Sequence, residues 1–162
     1  MNYIFKSKVE NHQEIKEKLL HQINLIPKNS MISKGQSILH TDWNIPSTMH
    51  REYAYLFIET VSPHLQMMVQ SLEVDKVDIS NFWFQQYQEV GEHKWHTHAV
   101  ANYANVYFLE CPKNYSTKFK HFVADCEEGE ILSFPAFLPH CSPPLSSNLR
   151  KTVIAFNTDF TL

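Results

Sequence analysis

The sequence predicts a single α+β domain in which two helices precede an antiparallel β sandwich. In residues 11–26 and 51–72, apolar residues recur at helical spacing among polar ones. Beyond residue 74 the chain changes to short runs rich in β-branched and aromatic residues, separated by turn residues, a texture typical of a sandwich or barrel. The length of 162 residues fits one domain, placed at 1–162 with its β core at about 77–160.

The first half of the chain carries the helical patterns and their boundaries. Residues 3–9 alternate well enough for a first strand, and Pro27 is expected to end the first helix. Pro63 is expected to break the second helical region into two pieces, because proline lacks the backbone donor that a helix interior needs. Residues 28–48 contain several breakers and predict a long irregular segment.

The second half of the chain predicts the strands of the sandwich. Each run is short, and turn residues separate it from the next, which favours antiparallel neighbours. The predicted strands are 77–87, 103–109, 117–123, 131–134 and 150–156.

Composition narrows the classes of function. A net charge of −3 and a pI of about 6.3 show no basic footprint for nucleic acid, so no nucleic-acid partner is expected. No stretch approaches the roughly 20 apolar residues that span a bilayer, so no membrane partner is expected. Three widely spaced cysteines favour reduced thiols. Together with the polar start of the chain, they predict a cytoplasmic protein.

A cluster of histidines supplies the first candidate site. His96 and His98 are two residues apart, so on an extended strand both imidazoles project from the same face. Neutral imidazole binds iron, zinc, copper and nickel, so the pair indicates a metal without naming it. The alternative is a pair of polar residues exposed on an edge strand.

Two further features follow at a distance. After Gly129 come an apolar run and a proline-bracketed aromatic segment that ends at His140. Ten residues later Arg150 opens an apolar strand, and Thr152 lies on the same face of that strand. A guanidinium group can bind a carboxylate through two parallel hydrogen bonds, so Arg150 is a candidate anion site. The alternative is a solvated residue at the edge of a sheet.

Taken together, these motifs resemble the iron(II)/2-oxoglutarate-dependent oxygenase superfamily, and its small prolyl-hydroxylase-like members in particular. Residues 84–96 resemble the strand and turn that lead into the family's metal motif, and residues 105–109 resemble the aromatic strand that follows it. The resemblance covers about residues 77–158, roughly half of the chain.

The resemblance implies a double-stranded β-helix, or jelly roll, with the N-terminal helices packed on it. It also implies a dioxygenase that uses Fe(II), 2-oxoglutarate and O2 to hydroxylate a small-molecule or protein substrate, with release of succinate and carbon dioxide. No catalytic residue beyond the metal ligands is expected. The residues so assigned are His96, His98 and His140 for the metal, and Arg150, Thr152 and Tyr87 for 2-oxoglutarate.

His98 departs from the family pattern, because it stands where an aspartate or glutamate is usual. Cupin-type dioxygenases or binding proteins that carry three histidines and do not use 2-oxoglutarate are therefore an alternative. Gly129, Pro135 and His140 fit the cupin spacing, although the usual glutamate after His98 is absent. A hydrolytic zinc site, which also uses three histidines, and a jelly roll without activity are further alternatives. Arg150 favours the 2-oxoglutarate interpretation.

Overall fold

The computed structural model describes residues 3–46, 48–146 and 148–162. Within these residues the chain forms two helices and eleven strands. In chain order they are β1 (Phe5–Lys8), α1 (His12–Asn24), β2 (Met31–Ser33), β3 (Gln36–Ile38), β4 (His40–Thr41), α2 (Ala54–Leu72), β5 (Lys76–Tyr87), β6 (His93–His96), β7 (Tyr103–Glu110), β8 (Lys118–Phe119), β9 (Glu130–Pro135), β10 (His140–Ser142) and β11 (Lys151–Thr161).

The strands form two antiparallel sheets. The larger has the order β1-β9-β7-β11-β5-β4, and the smaller has the order β2-β3-β6-β10-β8. Neighbouring strands are mostly far apart in sequence: β11, the last strand, pairs with β5 on one side and β7 on the other. The two sheets with helices packed on the larger one confirm the predicted jelly-roll core.

Two apolar clusters lie on opposite faces of the larger sheet. The outer cluster packs α1 and α2 on the sheet, and its helical members are spaced by three or four residues, so each helix buries one face. The inner cluster lies between the sheets. The outer cluster includes Leu19, Ile23, Phe57, Val61, Tyr107, Ile154 and Phe156, and the inner one includes Ile38, Phe108, Leu132, Phe134 and Val153.

The segment 28–48 is more regular than expected. Met31–Ser33 and Gln36–Ile38 form a hairpin that joins the smaller sheet at β6, and His40–Thr41 extends the larger sheet at β5. The strands have only two or three residues each, too few for an alternating pattern to be read. The sandwich is therefore not built by the second half of the chain alone.

The expected break at Pro63 is wrong, because α2 runs without interruption from Ala54 to Leu72. Phe57, Val61, His64 and Met68 are all buried along this helix, before and after the proline. Packing of this continuous face on the sheet offsets the lost backbone hydrogen bond, since tertiary contacts routinely override local propensity.

Neither α2 nor any other described helix combines the length and apolar character that a membrane span requires.

The predicted strand 117–123 shortens to Lys118–Phe119. The rings of Phe119 and Phe122 stack with their centroids 4.3 Å apart. Residues three apart on an extended strand face opposite sides, so this stacking requires the chain to leave the strand between them.

Candidate metal centre and the adjoining cavity

A cavity of about 380 Å³ lies between the two sheets. The smaller sheet contributes His93, His96 and His140 to its wall, the segment after β6 contributes His98, and β11 contributes four residues: Lys151, Val153, Ala155 and Asn157. Among the residues that the structure describes, no aspartate or glutamate lines this cavity, and Lys151 is its one ammonium or guanidinium group. The wall therefore offers hydrogen-bond donors and positive charge, and a negatively charged ligand would meet no carboxylate of the protein there.

The structure brings His96, His98 and His140 together at this cavity. His96 and His140 are direct partners in the antiparallel pairing of β6 and β10, which places their side chains next to each other. His98 follows β6, and its backbone N–H donates to the carbonyl oxygen of Ala136 at 2.9 Å. One candidate ligand atom from each histidine lies within 4.8 Å of the other two, a spacing at which one metal ion can contact all three.

Each of the three rings makes a hydrogen bond through Nδ1 to an oxygen that can only accept. A neutral ring that donates from Nδ1 keeps the lone pair of Nε2 available for a metal. These bonds also hold the rings in orientation before any metal binds. The acceptors are the carbonyl oxygen of Lys94 for His96 (2.7 Å), Oδ1 of Asn157 for His98 (2.6 Å) and the carbonyl oxygen of Leu138 for His140 (2.9 Å).

The electrostatics favour the same neutral state. Burial is the main cause that lowers the pKa of each ring, and it lowers the pKa of His140 to about 3. At neutral pH the three imidazoles are therefore uncharged, so a metal ion binds them without first displacing a proton from Nε2. Imidazole donors fit Fe(II) as they fit other borderline divalent metals.

Arg150 and Thr152 lie away from the cavity, so the structure does not support the anion-binding role expected of them. Nε and Nη2 of Arg150 donate to the carboxylate of Glu110 at 2.9 and 2.7 Å. The hydroxyl of Thr152 donates to the same carboxylate at 2.6 Å. The two residues do share a face, as expected, but it is the face opposite to the one that lines the cavity, and the guanidinium is already paired with a carboxylate of the protein.

Lys151 takes the place expected for Arg150. Its side chain is 1% exposed and lines the cavity. Its Nζ donates to the hydroxyl of Ser142 at 2.9 Å and lies 5.5 Å from the centre of the Tyr87 ring. In the described part of the chain no carboxylate forms an ion pair with it. Burial lowers the pKa of Lys151 to about 8. A buried ammonium without a counter-charge is costly, and an anion in the cavity would remove that cost.

Tyr87 lies where the sequence placed it, at the cavity. Its side chain is 1% exposed, and its hydroxyl donates to Oε1 of Gln85 at 2.8 Å. The ring packs beside Lys151, so Tyr87 contributes to the wall around the ammonium group. Burial raises the pKa of its hydroxyl, which therefore stays protonated.

Lys151 and Asn157 were missed because β11 is apolar on both faces. Val153 and Ala155 line the cavity, whereas Ile154 and Phe156 pack under the helices, so hydrophobicity does not reveal which set faces inward. The available signal was the even spacing of Lys151 and Asn157, which places both on the face of Val153 and Ala155, although Thr152 and Thr158 have the same spacing on the other face.

The chain resembles known proteins in structure and not in sequence. No protein-family model matches the sequence, and no curated protein matches it by sequence. A viral collagen prolyl hydroxylase from Paramecium bursaria Chlorella virus-1, solved as its 2OG complex, superposes with a TM-score of 0.66 at 15% identity, over 99% of this chain and 97% of that chain.

Two bacterial structures show the same similarity. A prolyl-4-hydroxylase of Pseudomonas putida gives a TM-score of 0.67 at 10% identity, over 98% of this chain and 94% of its own. An oxidoreductase of the 2OG-Fe(II) oxygenase family from Burkholderia pseudomallei gives a TM-score of 0.72 at 8% identity, over 97% of this chain and 85% of its own. The chain thus has the fold of the prolyl hydroxylases and 2OG-Fe(II) oxygenases over nearly its whole length, and its three clustered histidines lie at the cavity of that fold.

Proposed function

We propose that the chain is an Fe(II)- and 2-oxoglutarate-dependent dioxygenase that hydroxylates its substrate. The observation that carries this proposal is the presence, in one cavity, of three histidines with free Nε2 atoms and a buried lysine without a counter-charge. The first group suits a metal, and the second suits the carboxylate of a metal-bound organic acid. The similarity in fold to proteins named as 2OG-Fe(II) oxygenases supports the same proposal.

His96, His98 and His140 would hold the iron through their Nε2 atoms. With 2-oxoglutarate bound, the iron would supply the activation of O2, and the overall reaction converts R–H, 2-oxoglutarate and O2 into R–OH, succinate and carbon dioxide. The chain itself contributes fixed, neutral rings and a cavity wall without carboxylates. Such preorganisation leaves the remaining metal positions to cosubstrate and oxygen.

Lys151, rather than Arg150, would bind the carboxylate of 2-oxoglutarate that is remote from the metal. Its ammonium group lies inside the cavity, and Ser142 holds it there. Tyr87 lines the same part of the wall. A charge-assisted hydrogen bond between Nζ and a carboxylate in this dry environment is stronger than one in water.

The replacement of an acidic ligand by His98 makes the proposed site more positive. Three neutral imidazoles do not offset the charge of Fe(II), and the described cavity wall contains no acid. A dianionic cosubstrate is the ligand that balances this charge most directly. The same set of three imidazoles favours a second candidate, a cupin-type three-histidine metal dioxygenase or binding protein that does not use 2-oxoglutarate.

The substrate is a small molecule or a side chain of a protein or peptide, since the cavity is small and two indoles lie in its wall. The rings of Trp43 and Trp83 are 4.3 Å apart at the cavity, and Trp43 is 44% exposed.

A cytoplasmic location fits the three cysteines, which are all free and buried.

Turnover in the absence of a known substrate tests the proposal. Purified protein with Fe(II), 2-oxoglutarate and O2 should release succinate through the slow uncoupled reaction, and His140→Ala should abolish this release. Replacing Fe(II) with Zn(II), which does not activate O2, should also abolish the release of succinate by the wild-type protein. Metal binding without any 2-oxoglutarate-dependent succinate would favour the cupin-type candidate.

A further inference from the structure

A fourth histidine lies beside the proposed metal ligands. The ring of His93 stacks on the ring of His96, with centroids 3.8 Å apart and an angle of 14° between the planes. His93 lines the cavity but is not one of the three histidines whose ligand atoms meet. It therefore lies beside the proposed metal ligands and not among them.

The β2–β3 hairpin, Met31–Ile38, holds His93 from the other side. Nε2 of Gln36 lies 3.2 Å from Nε2 of His93, and the two residues are direct partners in the pairing of β3 with β6. Backbone hydrogen bonds between Ser37 and Glu92, at 2.8 and 3.2 Å, fix the hairpin against β6 at this point. The position of His93 thus depends on the hairpin.

The hydrogen bond to Gln36 defines the state of His93. An amide nitrogen only donates, so Nε2 of His93 accepts and the ring is neutral with its proton on Nδ1. Burial, followed by the neighbouring histidines, lowers the pKa of His93 to about 3, in agreement with a neutral ring. A neutral flat ring can pack on His96 without repelling a nearby cation.

The hairpin can approach β6 this closely because residue 91 is glycine. A Cβ atom at Gly91 would lie 2.9 Å from the carbonyl oxygen of Ser37 and 2.9 Å from that of Gln88. Both are backbone atoms, so neither can move without moving the main chain around it. Glycine at position 91 therefore permits the contact between the hairpin and the strand that carries His93 and His96.

The ring of His96 is held less firmly by its own hydrogen bond than the ring of His98. Its Nδ1 bond goes to the carbonyl of Lys94 in its own short strand and is solvent-exposed, whereas His98 is held by a side chain from the central strand β11. We infer that His93 is a positioning residue that fixes the ring plane of His96, and that the β2–β3 hairpin sets this position through Gln36. This inference rests on the metal centre proposed above. Because Met31, Gln36 and Ile38 also line the cavity, a ligand there touches the same hairpin that supports His96.

Cobalt(II) alone is the probe for the test. Its affinity and visible spectrum report the ligand geometry without any turnover. The informative pair is His93→Phe, which keeps a flat ring against His96, and His93→Leu, which keeps apolar bulk but not the flat face. We expect His93→Leu to lose about 10- to 100-fold in Co(II) affinity, with a changed spectrum, and His93→Phe to remain within a few-fold of wild type. Gln36→Leu should fall between them.

His50→Leu is the matched control, since His50 has a 79% exposed side chain away from the cavity and should bind Co(II) as wild type does. Thermal unfolding of the metal-free variants shows that each is folded. Equal Co(II) affinity and spectra for His93→Leu and wild type would overturn the inference, as would an equal loss in His93→Phe and His93→Leu. Failure of the wild-type protein to bind Co(II) would instead contradict the proposed function.

Discussion

Nδ1 of His98 lies 2.6 Å from Oδ1 of Asn157, so the ring of His98 is held by the central strand of the larger sheet. The bond fixes both the tautomer and the orientation of the ring. The bond leaves Nε2 of His98 available to bind a metal together with His96 and His140.

Replacing Asn157 tests this relationship. Asn157→Leu removes the acceptor, so the His98 ring can rotate, and we expect the affinity for Fe(II) to fall about 10- to 100-fold. Asn157→Asp keeps an acceptor at the same position and should retain most of the affinity. Competition with a chelating dye measures both. An affinity in Asn157→Leu equal to that of wild type would show that the bond does not position a ligand.

Replacing His98 tests whether its side chain is a metal ligand. His98→Ala should bind Fe(II) at least about tenfold more weakly while the metal-free protein unfolds near the wild-type temperature, because the side chain is only partly buried. His98→Asp supplies a carboxylate at the usual position of the family and should bind Fe(II). If His98→Ala bound iron as tightly as wild type, His98 would not be a ligand.

The pH dependence of 2-oxoglutarate binding follows from Lys151. Burial lowers its pKa to about 8, so above that pH the free protein loses the positive charge that a carboxylate needs. We expect the dissociation constant for 2-oxoglutarate to rise by up to about tenfold per pH unit above 8. Calorimetric titration of Zn(II)-loaded protein between pH 7 and 9.5 measures it. An affinity that does not change over this range would contradict the role of Lys151.

The lowered pKa of Lys151 also makes the free energy of unfolding depend on pH. Between pH 8 and the pKa of an unfolded lysine, near 10.4, the unfolded chain binds a proton at residue 151 that the folded chain has released. The contribution of Lys151 to the free energy of unfolding therefore rises with pH over this window, and at pH 7 the buried charge destabilises the ligand-free protein by up to roughly 3 kcal/mol. Lys151→Met should accordingly raise the melting temperature of the ligand-free protein at pH 7. A lower melting temperature would mean that the ammonium is offset by groups other than Ser142.

Gly35 in the β2–β3 hairpin and Gly91 just before β6 form a matched pair of glycines. Gly91→Ala brings a Cβ atom within 2.9 Å of two backbone oxygens, so we expect it to destabilise the protein by about 1–3 kcal/mol and to expose the hairpin amides to hydrogen exchange. Gly35→Ala meets nothing within 4 Å and should be close to neutral. Equal free energies of unfolding of the two variants in urea would show that the backbone around Gly91 has room for a Cβ atom.

The sequence predicted that His96, His98 and His140 lie close together, because the relevant spacings are short. His96 and His98 share a face on any extended segment, and a proline-bracketed turn delivers His140 to the neighbouring strand. Arg150 and Thr152 face away from the cavity and Lys151 faces into it, because both faces of β11 are apolar and only tertiary structure decides which face meets the helices. The hairpin at 31–38 was missed because its strands have three residues each, and its pairing with β6 is a long-range contact.

Anaerobic titration of the Fe(II)-loaded protein with 2-oxoglutarate tests the central claim most directly. The wild-type protein should develop the visible charge-transfer band of an iron–2-oxo-acid complex. Arg150→Met should develop it at the same concentration of 2-oxoglutarate, whereas Lys151→Met should require at least about 30-fold more, since loss of one partner of a buried charge pair costs 2 kcal/mol or more. A wild-type protein that binds iron and shows no band, or a band that depends on Arg150 and not on Lys151, would contradict the proposed site.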